Sequence, residues 1–158
     1  MCSSDLWVIG GAVGALVIGG AIAIPYLRPT QPSAMERERP GVEAAMERFR
    51  VGYQNRSLSA VSAVFPTLPR DHRIAMQREF NDCLVYEVTF QLMEVAMAPT
   101  DNSVAHVDVN STHVCTPKSG AQPVASKQHE VFTLRKKGDS WMIEGVANAG
   151  QASVSRTK

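Results

Sequence analysis

The sequence predicts an N-terminal membrane span followed by an α+β domain, with three helices packed on a curved antiparallel four-stranded sheet. Three observations favour this arrangement. An uncharged apolar segment lies near the start of the chain. Residues 42–80 carry apolar side chains at helical spacing. Residues 83–147 contain four segments in which apolar and polar residues alternate, as they do in strands with one buried face.

Composition excludes several classes of protein. The 158 residues are enough for one domain. Sixteen Lys and Arg nearly balance fifteen Asp and Glu, so the net charge of +1 excludes a strongly basic nucleic-acid binder. Three cysteines are too few for a disulfide scaffold or a four-cysteine zinc site. We therefore expect no nucleic-acid partner, no cofactor and no metal.

The apolar segment, residues 6–27, predicts a single transmembrane helix in contact with bilayer lipid. Its 22 uncharged residues would form a helix about 33 Å long, enough to cross a hydrocarbon core of about 30 Å. Trp7 and Tyr26 lie at its ends, where aromatic rings favour the headgroup region. Gly10 and Gly14 form a G-x-x-x-G pair, which favours contact with a second copy or another membrane protein. A cleaved signal peptide fits less well, because no basic residue precedes the segment.

The segments that flank the span carry separate signals. Residues 1–5, Met-Cys-Ser-Ser-Asp, match the translation of a common sequencing adapter. We interpret them as a non-native or short flank and expect the natural protein to continue upstream. Residues 28–41 contain three prolines and mixed charge, which predicts a juxtamembrane linker. The polar tail, residues 148–158, is predicted to be disordered.

Three helices are predicted after the linker, over residues 42–56, 58–65 and 69–80. The apolar face of the first helix comprises Val42, Met46, Phe49 and Tyr53. Ser57 can cap the second helix, and Pro66 ends it. The third helix starts with a proline, which is favoured at a first helical position.

Four strands follow, over residues 83–97, 104–115, 124–136 and 141–147. The alternation in the first strand changes phase near Met93 and Glu94, as it does at a β-bulge. Turn-forming residues separate the strands. The residues expected to line the core or a pocket are Phe49, Tyr53, Tyr86, Phe90 and Trp141.

Two motifs carry a resemblance to a known family. The F-x-x-x-Y motif at 49–53, followed by N-R-S-L at 55–58, resembles the opening of nuclear transport factor 2-like domains, also called SnoaL-like or ketosteroid-isomerase-like domains. The segment 132–143, a strand followed by a Gly-Asp turn and a tryptophan, is similar to the last hairpin of that family. The resemblance implies a cone-shaped, cystatin-like α+β domain over residues 42–147. Since the family includes enzymes, sensors and transport adaptors, the resemblance implies fold better than activity.

The layout of the chain extends the resemblance. Some bacterial membrane serine/threonine kinases carry such a domain after a transmembrane helix and a Pro-rich linker, so the chain resembles the C-terminal part of one. We expect a membrane-anchored, non-catalytic domain that binds a small ligand or a partner, as a sensor or in assembly. One alternative is a small SnoaL-like isomerase or cyclase-type enzyme. Another alternative is a subunit of an envelope or secretion complex.

The enzyme alternative requires a carboxylate base and an acidic donor inside the pocket. His106 and Asp108 share one face of a strand, so they are candidates for proton transfer. The same alternation also fits an exposed face that includes Asn110. An open pocket with a buried, partnered carboxylate would favour an enzyme. A pocket filled by core side chains would favour an interaction module.

Cys83 and Cys115 are candidates for a disulfide. If residues 98–100 form the loop of the first hairpin, residue numbers across that hairpin sum to 198, and the two cysteines face each other. The alternative is that both serve as small apolar strand residues. A disulfide favours an extracytoplasmic domain at the bacterial inner membrane. The basic residues that follow the span favour the opposite orientation by the positive-inside rule.

Overall fold

The computed structural model describes residues 32–149, in which three helices precede four strands. The elements are α1 (Ala34–Gln54), α2 (Leu58–Val64), α3 (Arg70–Asp82), β1 (Cys83–Ala98), β2 (Asp101–Pro117), β3 (Val124–Lys137) and β4 (Ser140–Asn148). The strands form one antiparallel sheet in the order β1-β2-β3-β4. The α+β architecture predicted for the domain is therefore confirmed.

The membrane span was predicted in a part of the chain that the structure does not describe. Within residues 32–149, no helix is long and apolar enough to cross a membrane. The predicted span at residues 6–27, with Gly10 and Gly14, lies outside the described residues, as do residues 1–5 and 150–158. The predictions for these segments remain predictions.

Helix α1 begins earlier than the sequence pattern indicated. It starts at Ala34, whereas residues 28–41 were predicted to form a linker. Residues 34–41 of that predicted linker are therefore helical. Ser33 and Glu36 form a capping box: the Ser33 hydroxyl accepts from the Glu36 backbone N–H at 3.1 Å, and the Glu36 carboxylate accepts from the Ser33 N–H. This reciprocal pair satisfies two backbone donors that a helix start otherwise leaves unpaired.

The sequence did not predict this first part of α1 because it contains Pro40. An interior proline has no N–H to donate and usually ends or kinks a helix. Contacts with the sheet hold the segment in place. Glu38 accepts hydrogen bonds from Lys136 Nζ at 2.7 Å and from Trp141 Nε1 at 3.2 Å. These contacts join residues about 100 positions apart, so local sequence patterns do not reveal them.

The core lies between the helices and one face of the sheet, which we call the inner face. Alternate residues of β2, β3 and β4 point into it, and most of them are apolar. α1 contributes its predicted apolar face. Its fully buried members include Val42, Met46, Val107, Leu134, Trp141 and Ile143.

The hairpin of β1 and β2 contains the predicted bulge, but its predicted register is wrong. The pairing shifts between Leu92 and Glu94, where the alternation changed phase. It shifts again after Met97, which lies opposite Ala105 instead of the predicted Asp101. Each such irregularity places extra residues on one strand, so register cannot be obtained from loop position alone.

Cys83 and Cys115 form the predicted disulfide, with Cα atoms 5.5 Å apart. The two residues are not directly opposite, because Cys115 faces Tyr86 and Cys83 faces Pro117. A further irregularity between Cys83 and Val85 accompanies this diagonal arrangement. The bond joins the end of α3 and the start of β1 to the end of β2.

Candidate functional site

An open cavity of about 770 Å³ lies between the helices and the inner face of the sheet, towards the end that carries the disulfide. α1 and α3 form one side of this cavity, and residues of all four strands form the other. The backbone explains its position: β1 follows α3 directly at Cys83, so the last turns of α3 lie beside the first residues of β1.

One wall of the cavity is aromatic. The Phe49 ring lies near the centre of a cluster in which centroid distances run from 5.2 to 6.3 Å. Its neighbours are Tyr53, Phe65, Phe90 and Phe132. Most of these pairs meet edge to face, an arrangement that aromatic quadrupoles favour. The wall therefore offers rigid apolar surface to a bound molecule.

Three polar groups form a hydrogen-bonded chain beside this wall. The Tyr86 hydroxyl donates to Glu79 Oε1 at 2.6 Å. His113 Nδ1 lies 3.2 Å from the same hydroxyl. A phenol has one O–H to donate, and that of Tyr86 is donated to Glu79. In the contact with His113 the phenol oxygen must therefore accept, which assigns the imidazole proton to Nδ1. We call this arrangement the Glu79–Tyr86–His113 chain.

Burial determines the protonation of the two phenols and the imidazole at this site. It raises the pKa of Tyr86 far above its ordinary value, and the hydrogen bond to Glu79 adds to the shift. Burial also raises the pKa of Tyr53, with the charges of Glu79 and Glu130 adding to it. Burial lowers the pKa of His113, although the Glu79 charge opposes the change. Both phenols are therefore protonated and the imidazole is neutral at pH 7.

A second carboxyl group lines the cavity from β3. Glu130 is half-buried, and its Oε2 accepts a hydrogen bond from Ser111 Oγ at 3.0 Å. Ser111 is only 1% exposed. Burial raises the pKa of Glu130, and the Ser111 hydrogen bond partly offsets that effect. The site thus contains a partnered carboxyl group with an elevated pKa.

Sequence reasoning did not single out Glu130, although a signal was present. Glu130 occupies the same alternation phase as the buried Phe132 and Leu134 on β3. Ser111 and His113 continue the phase of the buried Val109 on β2. Polar residues at core-facing positions indicate a site, because they are unfavourable inside a filled core.

The structure places His106 and Asp108 on the outer face of the sheet, away from the cavity. They do not contact each other. Asp108 Oδ1 lies 2.6 Å from His129 Nε2, and His106 Nδ1 lies 3.4 Å from Thr133 Oγ1. Residues two apart in one strand are about 6.6 Å apart along it, too far for a hydrogen bond between short side chains. His106 and Asp108 instead contact residues of the neighbouring strand β3.

The five residues expected to line a core or pocket fall into two places. Phe49, Tyr53, Tyr86 and Phe90 line the cavity. Trp141 is 1% exposed and lies in the core, beside Gly41 of α1. Among residues 32–149, no group of three or more His, Cys, Asp or Glu side chains is arranged to hold a metal ion.

Comparisons with known proteins identify the fold. No protein-family model matches the chain, and no curated protein sequence matches it. A solved structure of a conserved protein from Planctomyces limnophilus superimposes with a TM-score of 0.63 and 12% identity, over 71% of this chain and 94% of that one. A ketosteroid isomerase-like protein from Erwinia carotovora gives a TM-score of 0.55 and 19% identity, over 69% and 92%.

A hexachlorocyclohexane dehydrochlorinase has the same architecture, with a TM-score of 0.56 and 6% identity, over 72% of this chain and 84% of that one. Identities this low establish the fold alone. The domain therefore has the fold of ketosteroid-isomerase-like proteins, as the two sequence motifs implied.

Proposed function

We propose that the domain binds a small organic molecule in its cavity. The observation that supports this most strongly is an open volume of about 770 Å³ with an aromatic wall and a few convergent polar groups. Small-molecule sites commonly have volumes of about 300–1,000 Å³ and this mixture of surfaces. An assembly module that used the same region would instead be expected to fill it with core side chains.

The aromatic wall and the polar groups of the cavity would contribute differently to ligand binding. The aromatic wall around Phe49 and Phe90 removes the apolar body of a ligand from water, which supplies most of the affinity. Glu130 and the Glu79–Tyr86–His113 chain fix its orientation through hydrogen bonds. A ligand that lacks a matching polar group leaves these groups unpaired and binds less tightly.

The membrane context belongs to the same proposal. Residues 6–27 would anchor the chain in the bacterial inner membrane, because they carry no charge over a membrane-spanning length. The Cys83–Cys115 disulfide favours an extracytoplasmic domain, since disulfides persist mainly in oxidising compartments. The domain would then act as a sensor or in assembly. A kinase upstream of the span, and membership of an envelope complex, remain predictions.

Binding can be tested on the full chain in a non-ionic detergent. Ligand-observed NMR with indole, 2-naphthol and cyclohexanone should detect at least one of them in fast exchange. Ala75 lines the cavity and is exposed, so Ala75→Trp should obstruct the mouth and abolish the signal. Ala44 is also exposed but lies outside the cavity, so Ala44→Trp is the matched control. Equal signals from the two variants would contradict the proposal.

Glu130 supports a second candidate function, proton transfer at carbon. Because burial raises its pKa, the Glu130 carboxylate is a stronger base than an exposed one. It would take a proton from carbon next to a carbonyl group, and the protonated Tyr86 would turn its single O–H from Glu79 to the enolate oxygen. The same carboxyl group would then return the proton to carbon.

Hydrogen exchange tests this candidate without knowledge of the natural substrate. The full chain in D₂O should accelerate deuterium incorporation next to the carbonyl of α-tetralone. Glu130→Gln should abolish the acceleration. Glu87→Gln should preserve it, since Glu87 is exposed on the outer face of β1. A rate that equals the buffer rate with the wild-type chain would exclude this chemistry for ketones of that kind.

A further inference from the structure

We propose that the cavity selects organic cations, molecules that carry an ammonium group on an apolar body. This inference rests on the proposed function, because it names the class of ligand that the same cavity takes. Two independent features of the lining support it: carboxylates without a basic partner and aromatic rings close to them.

The first feature is uncompensated negative charge. Glu79 reaches the cavity from α3, and Glu130 reaches it from β3. Within residues 32–149, neither carboxyl group lies within 4 Å of a Lys, Arg or His nitrogen. Their hydrogen bonds come from uncharged hydroxyl groups, those of Tyr86 and Ser111. Glu130 is half-buried, and a carboxylate that is partly removed from water gains when a cation arrives. Glu79 is exposed and adds its charge from the α3 side of the cavity.

The second feature is the position of the aromatic rings relative to that charge. Tyr53 and Tyr86 lie with ring centroids 6.1 Å apart, and Tyr53 lies 5.2 Å from Phe49. The Tyr86 hydroxyl lies 2.6 Å from Glu79 Oε1, so this aromatic pair lies directly beside one of the carboxylates. A cation within about 6 Å of an aromatic face is attracted by the ring quadrupole, more strongly where water is excluded.

The basic groups at the cavity do not cancel this field. His113 faces the interior but is uncharged at neutral pH, because burial lowers its pKa. His72 and Lys127 lie at the exposed rim, where water and salt screen their charges. His129 also lies at the rim, and its Nε2 already contacts Asp108. The interior of the cavity is therefore acidic and aromatic.

Binding of a cation should depend on pH in a defined direction. An ammonium group beside Glu130 favours the ionised carboxylate, so at a pH near its raised pKa, ligand binding releases a proton. Affinity should rise with pH as Glu130 ionises and then level off. His113 becomes protonated at low pH and repels the ligand, which acts in the same direction.

Three probes of similar size separate charge from shape: benzylammonium, benzyl alcohol and benzoate. Isothermal titration of the full chain at neutral pH should show benzylammonium binding about tenfold more tightly than benzyl alcohol, with benzoate weakest. Glu130→Gln and Glu79→Gln should each reduce that preference several-fold. Glu87→Gln removes the same charge from the outer face and should leave the preference unchanged.

Each outcome distinguishes this inference from the proposed function. If benzyl alcohol or benzoate binds at least as tightly as benzylammonium, the cavity binds small molecules but does not select cations. If none of the three binds, both proposals are contradicted. If Glu87→Gln lowers the preference as much as Glu130→Gln does, the selectivity comes from the overall charge of the protein and the assignment to the cavity is wrong.

Discussion

The two ends of the inner face of the sheet are built from the same strands, but one end is filled by core side chains and the other borders an open cavity. At one end, Val107, Leu134 and Ile143 are fully buried, and they share one core cluster with Trp141 and residues of α1. At the other end, the same alternation brings Ser111, His113 and Glu130 inward, and a cavity remains. The difference shows that strand alternation determines the direction of side chains, whereas their polarity determines whether the space is filled.

Removal of Trp141 is the most severe test of the filled end. Trp141→Ala should lower the free energy of unfolding by about 3–5 kcal/mol, because the lost ring leaves a void in a tightly packed region. Phe90→Ala, at the wall of the open cavity, should cost less than half as much, since space already exists beside it. Denaturant unfolding of both variants gives the comparison, and equal losses would show that the two ends are packed alike.

The disulfide is expected to support the open end. Replacement of both Cys83 and Cys115 by serine should lower the free energy of unfolding by about 3–4 kcal/mol by the chain-entropy model, given a sequence separation of 32 residues. Thiol counting on the wild-type protein without reductant should find neither cysteine free. Two free thiols at these positions would remove both the cross-link and the argument for an oxidising compartment.

Gly41 tests how closely α1 packs at the filled end. A Cβ atom at this position would lie 2.8 Å from Trp141 Cδ1, so Gly41→Ala should destabilise the domain by about 1–3 kcal/mol. Gly145 on β4 has no atom within 4 Å of the corresponding position, so Gly145→Ala serves as the control. Similar effects on thermal unfolding from the two substitutions would mean that the contact between α1 and Trp141 is loose.

Glu130 should produce the smallest effect on stability, and a pH-dependent one. The pKa of Glu130 in the folded state is raised above its ordinary value of 4.5. Between the pKa of the unfolded state and that of the folded state, the folded protein therefore binds more protons than the unfolded chain. Stability contributed by this group is therefore present at low pH and is lost as pH rises towards the folded-state pKa. Glu130→Gln should be more stable than the wild type at pH 7 and equal to it below about pH 4. An unchanged difference across this range would contradict the raised pKa.

Most of the fold could be predicted because local patterns determine it. The alternation from Cys83 onwards identified all four strands, and its change of phase at Met93 identified the bulge. The start of α1 was missed because Pro40 usually ends a helix, and the contact of Glu38 with Lys136 that holds the segment is distant in sequence. Register was missed because irregularities outside the turn change which residues face each other.

The site was harder to predict than the fold. The rings of Phe49, Tyr53, Tyr86 and Phe90 were expected to lie together, because each is on an apolar face of its element. The contact between Glu79 and Tyr86 crosses from a helix to a strand, and the one between Ser111 and Glu130 crosses two strands. Neither contact follows from the periodicity of a single element, and both require the pairing and packing of the whole sheet.

The helical layer and its connecting segments also contact both edges of the sheet. β1 and β4 are its two edge strands, and unpaired backbone groups on such edges can template the addition of another strand. Arg50 and Arg56 donate to the carbonyl oxygens of Val88 and Cys83 on β1. Thr67 donates to a β4 carbonyl oxygen at 2.9 Å. Arg50 lies on α1, whereas Arg56 and Thr67 lie in the segments that connect the helices. We expect these contacts, which join the helical layer to both edge strands, to hinder the approach of a second copy to either edge.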